Sequence, residues 1–218
     1  MSKSNKYGYA GADIPSQSFG SNKGKFDPAE INELVAGNKW TQYGQLELIQ
    51  TQTISSASCD FTSLSVNTYD VHLFVYSDLI TPSETQTEFT LRVSDDGGTT
   101  YESSSYNFAN QRGYASGTFN ERKSTSQASI RLFGDITGAS NGKGNGYCYM
   151  YHAGNSERFT LFTNHNSFYQ TNSAVAMEFG NGSYEVASTI NAVRFGMGAD
   201  SATNIESGTI SAYGIRAY

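Results

Sequence analysis

The chain is short of the residues that most often announce a reaction. In 218 residues there are two cysteines, three histidines, three prolines and one tryptophan. Cys59 and Cys148 are far apart, and no Cys-x-x-Cys occurs, which excludes the common zinc cradles and dithiol redox motifs. Each cysteine sits in a strand-like run and reads as a small buried residue with a free thiol. His72, His152 and His165 never pair at metal-ligand spacing and read as ordinary structural or surface histidines. Asp95, Asp96 and Asp135 have no EF-hand loop around them. Phosphate loops, dinucleotide fingerprints and nucleophile elbows are missing, as is a clear carboxylate pair for glycoside hydrolysis. The expectation is a protein that is not an enzyme and takes no cofactor.

Charge is also scarce, at 16% of residues with a formal net charge of −6. Residues 1–39 carry Lys3, Lys6, Lys23, Lys25 and Lys39 against Asp13, Asp27, Glu30 and Glu33, so the acidic excess belongs to the rest. An acidic body without a basic stripe repels phosphate, which argues against nucleic acid and anionic membranes as partners. No apolar run approaches membrane-span length, so no membrane insertion is expected. The opening Met-Ser-Lys-Ser-Asn-Lys-Tyr lacks the apolar centre of a signal peptide, so the chain reads as soluble and made in a cytoplasm. Without a secretory route, the glycosylation match at Asn181-Gly-Ser183 has little meaning.

What the chain does have is 22 glycines, 15 tyrosines and 13 phenylalanines, with abundant Ser, Thr and Asn. That mixture suits a sheet protein with many turns. Strand-like runs recur at about 45–54, 57–64, 69–77, 87–94, 99–107, 127–133, 146–153, 158–165, 174–180, 189–196 and 208–216. In the fourth run Phe89, Leu91 and Val93 alternate with Glu88, Thr90 and Arg92, the pattern of a strand with one wet face. In 146–153, Tyr147, Tyr149 and Tyr151 alternate along one side. Such spacing with almost no helix means a sandwich or barrel. The last two runs, parted by a small polar crossing, are closing strands that earlier strands must hold.

The N-terminal portion differs. Residues 1–26 show no periodicity, yet Tyr7, Tyr9, Ile14 and Phe19 punctuate them as apolar anchors, so they read as an extended arm that docks on something. A short helix follows over 27–37, with Asp27 as cap, Pro28 at the first helical position, Glu30 completing a capping box and Gly37 as stop. Ile31, Leu34 and Val35 form its apolar side. The expected division is an anchoring arm and helix over 1–38 and an all-β domain over 39–218.

Two local patterns stand out. Ser94, Asp96, Gly98, Thr100 and Tyr101 fit the Asp-box form, whose physical content is a hairpin turn in which Asp96 bonds backbone N–H groups and glycine takes a positive φ. One copy in a chain too short for a propeller makes it a structural turn. The stretch 106–119 gathers Tyr106, Phe108, Arg112, Tyr114 and Phe119 among polar residues and reads as a loop whose rings either fill the end of the sandwich or a subunit contact, or serve as the candidate surface-contact loop for sugars or proteins. A second polar loop is expected over 134–145.

The run from Lys6 through Phe19, the capped helix, Trp40, Gly44 to Thr53, Tyr69-Asp-Val-His72, Gln111-Arg-Gly-Tyr114, Gly144 to Tyr151 and the closing Ser207-Gly-Thr-Ile-Ser-Ala-Tyr-Gly-Ile215 together resemble virion structural proteins of marine tailed bacteriophages, notably those of cyanobacteria. The likeness covers nearly the whole chain, and its motifs are structural. It implies an antiparallel jelly-roll sandwich of about 8–11 strands, a homotrimer, and an arm that anchors to other virion proteins. The corresponding role is a non-catalytic tail-fibre or tail-associated jelly roll for host attachment, with host-surface glycan as a partner. A head decoration protein or head fibre is the alternative, and a glycan-cleaving enzyme a more distant one.

Overall fold

The computed structural model describes residues 28–36, 46–81, 87–136, 142–170, 174–198 and 205–215. The chain divides into two compact units, 1–43 and 44–218. In the first, helix α1 spans Pro28–Ala36, with Ile31 and Leu34 half-buried and Val35 exposed. The expected cap Asp27, stop Gly37 and arm residues Tyr7, Tyr9, Ile14 and Phe19 lie outside the described residues.

The second unit is all antiparallel β. Its twelve described strands are β1 (Glu47–Thr53), β2 (Ser58–Phe61), β3 (Val71–Ile80), β4 (Glu88–Ser94), β5 (Tyr106–Tyr114), β6 (Phe119–Gln127), β7 (Ile130–Gly134), β8 (Gly144–Tyr151), β9 (Thr160–Tyr169), β10 (Val175–Tyr184), β11 (Ala192–Met197) and β12 (Ser207–Ile215). They form an eight-stranded sheet in the order β1-β12-β3-β8-β9-β10-β5-β6 and a four-stranded sheet in the order β2-β11-β4-β7. Eight strands, β1-β12-β3-β8 facing β2-β11-β4-β7, have the order of a jelly roll, with the chain switching sheets at every core connection except that from β4 to β7. Two hairpins are added to that frame. The hairpin β5–β6 is inserted between β4 and β7, and β9–β10 between β8 and β11; both extend the larger sheet beyond β8.

The added hairpins are where the sequence reading falls short. The stretch expected as a loop, 106–119, is strand β5, a tight turn and the start of β6, whereas the strand expected at 99–107 starts only at Tyr106. The physical reason is inverted polarity. On β5 the buried side carries Asn110 and Arg112, while β6 (Phe-Asn-Glu-Arg-Lys-Ser-Thr-Ser-Gln) is an end strand with little buried surface, so neither shows the usual apolar alternation. The two closing strands also part company: β11 lies between β2 and β4 in the small sheet, and β12 between β1 and β3 in the large one.

Between the sheets an aromatic cluster fills the core. Phe74 meets Phe195 at 5.1 Å, Phe195 stacks on Phe89 at 5.6 Å, and Tyr76 meets Phe89 at 5.0 Å. All four rings are essentially without solvent contact. Each such ring stabilises the fold by about 1.5–3 kcal/mol through burial, with a further contribution from edge-to-face contact. Cys59 and Cys148 are free thiols in this core. Burial pushes Cys59 up to about 12, with Asp60 adding to it, and raises Cys148 as well.

The Asp-box is the expected turn. Ser94 Oγ donates to Asp96 Oδ1 at 2.7 Å, and the Thr100 N–H and hydroxyl donate to the same carboxylate at 2.9 and 2.7 Å. Gly98 takes φ +86° and donates to Ser94 Oγ at 2.9 Å. Asn191, just before β11, clasps the turn from outside, accepting from Gly97 N and donating to Asp95 O. The hydrogen bonds from Thr100 and Ser94 hold the Asp96 carboxyl down to about 2.

Candidate functional site

The extension β9-β10-β5-β6 presents two unlike faces, because successive side chains of a strand point to opposite sides. The inner face is buried, with a polar centre flanked by Tyr106, Phe162, Phe168, Ala176 and Tyr184. Here the extension is covered by β7, the end strand of the small sheet, two of whose carbonyls take side-chain donors. Asn110 Nδ2 donates to Arg131 O at 3.0 Å, and Asn166 Nδ2 to Leu132 O at 3.0 Å. Register sets Arg112, Glu178 and Asn166 side by side across β5, β10 and β9. Glu178, with no exposed surface, accepts from Arg112 Nε at 2.8 Å and from Asn110 Nδ2 at 3.2 Å, and pairs with Arg112 Nη2 at 2.7 Å. Arg112 also donates to Asp135, and its guanidinium lies 5.4 Å over the Phe168 ring. Arg131 is ion-paired with Glu88.

Burial opposes the charge on Arg112, but the Glu178 charge and the hydrogen bonds that the guanidinium donates to Tyr114, Asp135 and Glu178 outweigh it and raise its pKa. For Arg131 burial prevails over Glu178 and Glu88, and its pKa is lowered. One row along, Asn164 Nδ2 reaches Asn110 Oδ1 at 3.4 Å across Gly180. A Cβ on Gly180 would stand 2.2 Å from Asn110 Oδ1, so only glycine leaves room for that bridge.

The outer face is open to solvent and aromatic. Along β8 run Tyr147, Tyr149 and Tyr151, with ring centroids 5.8 and 6.1 Å apart. Across the strands Tyr147 meets His165 at 5.9 Å, and His165 meets Phe179 at 6.0 Å, both edge to face. The rings form an L, one limb along β8 and the other from β8 to β10. Tyr147 and Phe179 are 40% and 41% exposed. In the angle of the L the register places Thr163, Asn181, Ala109 and Lys123 in the row that starts from Tyr149. Together with Phe179, Gln111 and Glu121 they line an open hollow of about 460 Å³. Tyr151 Oη and Thr163 Oγ1 are 3.2 Å apart, and Lys123 pairs with Glu121 at 2.7 Å. A ring contact, a concave floor and several polar termini thus lie in one place, the features that small-ligand sites combine.

The five residues of the expected contact loop are divided by the structure. Tyr106 and Arg112 are fully buried, Tyr106 donating to Glu102 O and accepting from Val93 N, and so present no surface to a partner. Phe108 and Tyr114 are half-buried and packed against the core. Phe119 is 63% exposed on the outer face and rests over Gly113, where a Cβ would approach its ring to 2.8 Å. In the second expected loop, 137–141 lies outside the described residues, whereas Asp135 and Ile136 are buried. Sequence reasoning missed Phe179, Asn181, Thr163, His165 and Lys123. The alternation of Tyr147, Tyr149 and Tyr151 was the available signal. Among the described residues no group of three His, Cys, Asp or Glu is placed to hold a metal, and no helix is long and apolar enough to cross a membrane.

No family model matches the chain, and no curated protein matches it in sequence. Among solved structures it is similar to the CBM2 module of Lactobacillus casei BL23 phage J-1 evolved Dit, at 9% identity and a TM-score of 0.24 over 82% of this chain and 83% of that one. At that TM-score the likeness carries no argument. The resemblance to marine phage virion proteins therefore stands on the residues quoted for it, and the jelly roll on the strand order.

Proposed function

We propose that this chain is a non-catalytic bacteriophage virion protein, a tail-fibre or tail-associated jelly roll, and that the outer face of its larger sheet contacts carbohydrate on the host surface. The observation that carries this reading is the solvent-facing L of aromatic rings around a polar hollow. A sheet face that served only the fold would be covered or polar; one with exposed Tyr147, Met177 and Phe179 is dressed for contact. The site lies on hydrogen-bonded strands rather than on loops, which favours preformed geometry.

The same reading assigns residues 1–38 to attachment, Tyr7, Tyr9, Ile14 and Phe19 being the anchors to other virion proteins, and makes the assembled form a homotrimer. Three copies on one particle turn a weak sugar contact into avidity gains on the order of 10²–10⁴. Of the carboxylates on these strands, Glu178 is locked to Arg112 on the buried side, and Glu121 at the hollow pairs with Lys123.

The test is location and adsorption. Gold-labelled antibody against the protein should decorate the tail of purified particles, and the full-length protein should bind host cells and compete with the phage. Label on the capsid, with no binding to cells, would overturn the attachment role and make the chain a head decoration protein. Sugar release from host envelope would overturn the non-catalytic reading.

A further inference from the structure

Resting on the carbohydrate reading, we infer that Phe179 is the stacking platform for an uncharged pyranose seated in the hollow, with Asn181 and Gln111 as its hydrogen-bonding partners. Phe179 alone belongs to both features, ending the cross-strand limb of the L and forming a wall of the hollow. His165 packs against it edge to face, and the Phe179 side chain remains 41% exposed. An aromatic face is electron-rich and attracts the polarised C–H groups on the flat side of a sugar ring. The volume of about 460 Å³ falls within the range of small-ligand sites.

The amides give the polar half of the recognition. On the buried side of these strands Asn110, Asn164 and Asn166 are all hydrogen-bonded within the protein. Asn181 and Gln111 stand on the outer side with exposed side chains that make no such bond, so their donors and acceptors are available. An amide offers both kinds of group, as a sugar hydroxyl requires.

The charge at the hollow selects against acidic sugars. Lys123 and Glu121 neutralise each other at its rim, and the chain as a whole carries −6, so a uronate or sialate gains no free cation. The same charged pair argues against a protein partner, since Lys and Glu are depleted in protein interfaces.

The experiment immobilises the full-length protein and measures binding to an array of neutral hexose and amino-sugar oligosaccharides and a matched array bearing uronic or sialic acid. The native chain should bind neutral members. Phe179→Ala should lose at least 10-fold in affinity and Asn181→Ala about 3- to 10-fold, while Phe179→Trp retains binding; all should melt within a few degrees of the native chain because both side chains are exposed. No binding to either array by the native chain would sink the carbohydrate reading itself. Binding unchanged in Phe179→Ala would leave that reading standing and overturn this subsite. Preference for the acidic array would overturn the uncharged ligand. Concentration-dependent self-association of the native chain, abolished in Phe179→Ala, would make the face a contact between copies and overturn the proposal.

Discussion

Glu178→Ala should be the most damaging single substitution on the extension, although it touches nothing on the outer face. The side chain has no exposed surface and pairs with two nitrogens of Arg112 at 2.8 and 2.7 Å, with Asn110 at 3.2 Å and with Arg131 Nε at 3.6 Å. Removing one member of a buried pair costs about 3–5 kcal/mol, because the other charge is left without compensation. Arg112 keeps Asp135, and Arg131 keeps Glu88, so the low end applies. A loss of about 3 kcal/mol lowers the melting temperature by about 6–12 °C for a domain of this size. Urea unfolding followed by far-ultraviolet circular dichroism gives the free energy, and calorimetry the temperature. The double variant Arg112→Met/Glu178→Leu should recover at least half of the loss, since apolar replacement of a whole buried pair is often neutral or better. A single variant within about 1 kcal/mol of the native chain, or a double variant no better than the single, would refute the argument that the layer is held by mutual charge compensation.

Other outcomes follow from the titrating groups. His72 is buried, with Nε2 2.7 Å from Leu64 O and Nδ1 without a partner. Burial lowers its pKa from the ordinary 6.5 against the opposing effects of Leu64 O and Asp70, so the unfolded chain takes the proton first. Its contribution is therefore complete above 6.5 and is lost as pH falls toward the lowered folded value, and His72→Gln should flatten stability measured between pH 7.5 and 5. Asp96 should titrate near 2 by carbon-detected NMR. Because that folded value lies below the unfolded 3.8, the turn's contribution is present above 3.8 and lost as pH falls through about 2; Asp96→Asn should abolish the dependence, and a midpoint near 4 in the native chain would contradict the hydrogen bonds to Thr100. Cys59 and Cys148 should resist iodoacetamide at pH 8 in the native protein and react fully in denaturant, as mass spectrometry would read, because burial keeps both thiols protonated.

How much of this was legible depended on which side of a strand carried the apolar residues. The run around Phe89, Leu91 and Val93 is a strand of the core, and all three side chains are fully buried. The Asp-box could be read because its chemistry is local: Ser94, Asp96 and Thr100 bond one another within one turn. Strand β5 could not, because in its middle it buries Asn110 and Arg112, whose partners Glu178, Asn164 and Asp135 come from other strands and from just past the end of β7. The tyrosines of β8 showed their common side, but a period of two tells sides apart without saying which is wet. The buried side proves to be that of Cys148 and Met150. Phe179 and His165 join the site only through the antiparallel register of β9 and β10, which no single stretch encodes.

The strand order also sets a schedule for folding. Among the described strands β1 pairs only with β12, and β2 only with β11, so both wait for Ser207–Ile215 and Ala192–Met197 to be synthesised before they find those partners. The hairpins β5–β6 and β9–β10 close over a few residues and can form as they leave the ribosome, since short loops cost little to close. The candidate binding surface is thus assembled from early local hairpins, and the frame that supports it closes last, with β1 exposed as an unpaired edge through most of translation. A nascent chain stalled before residue 192 should engage cellular chaperones strongly, and release them only when the closing strands emerge.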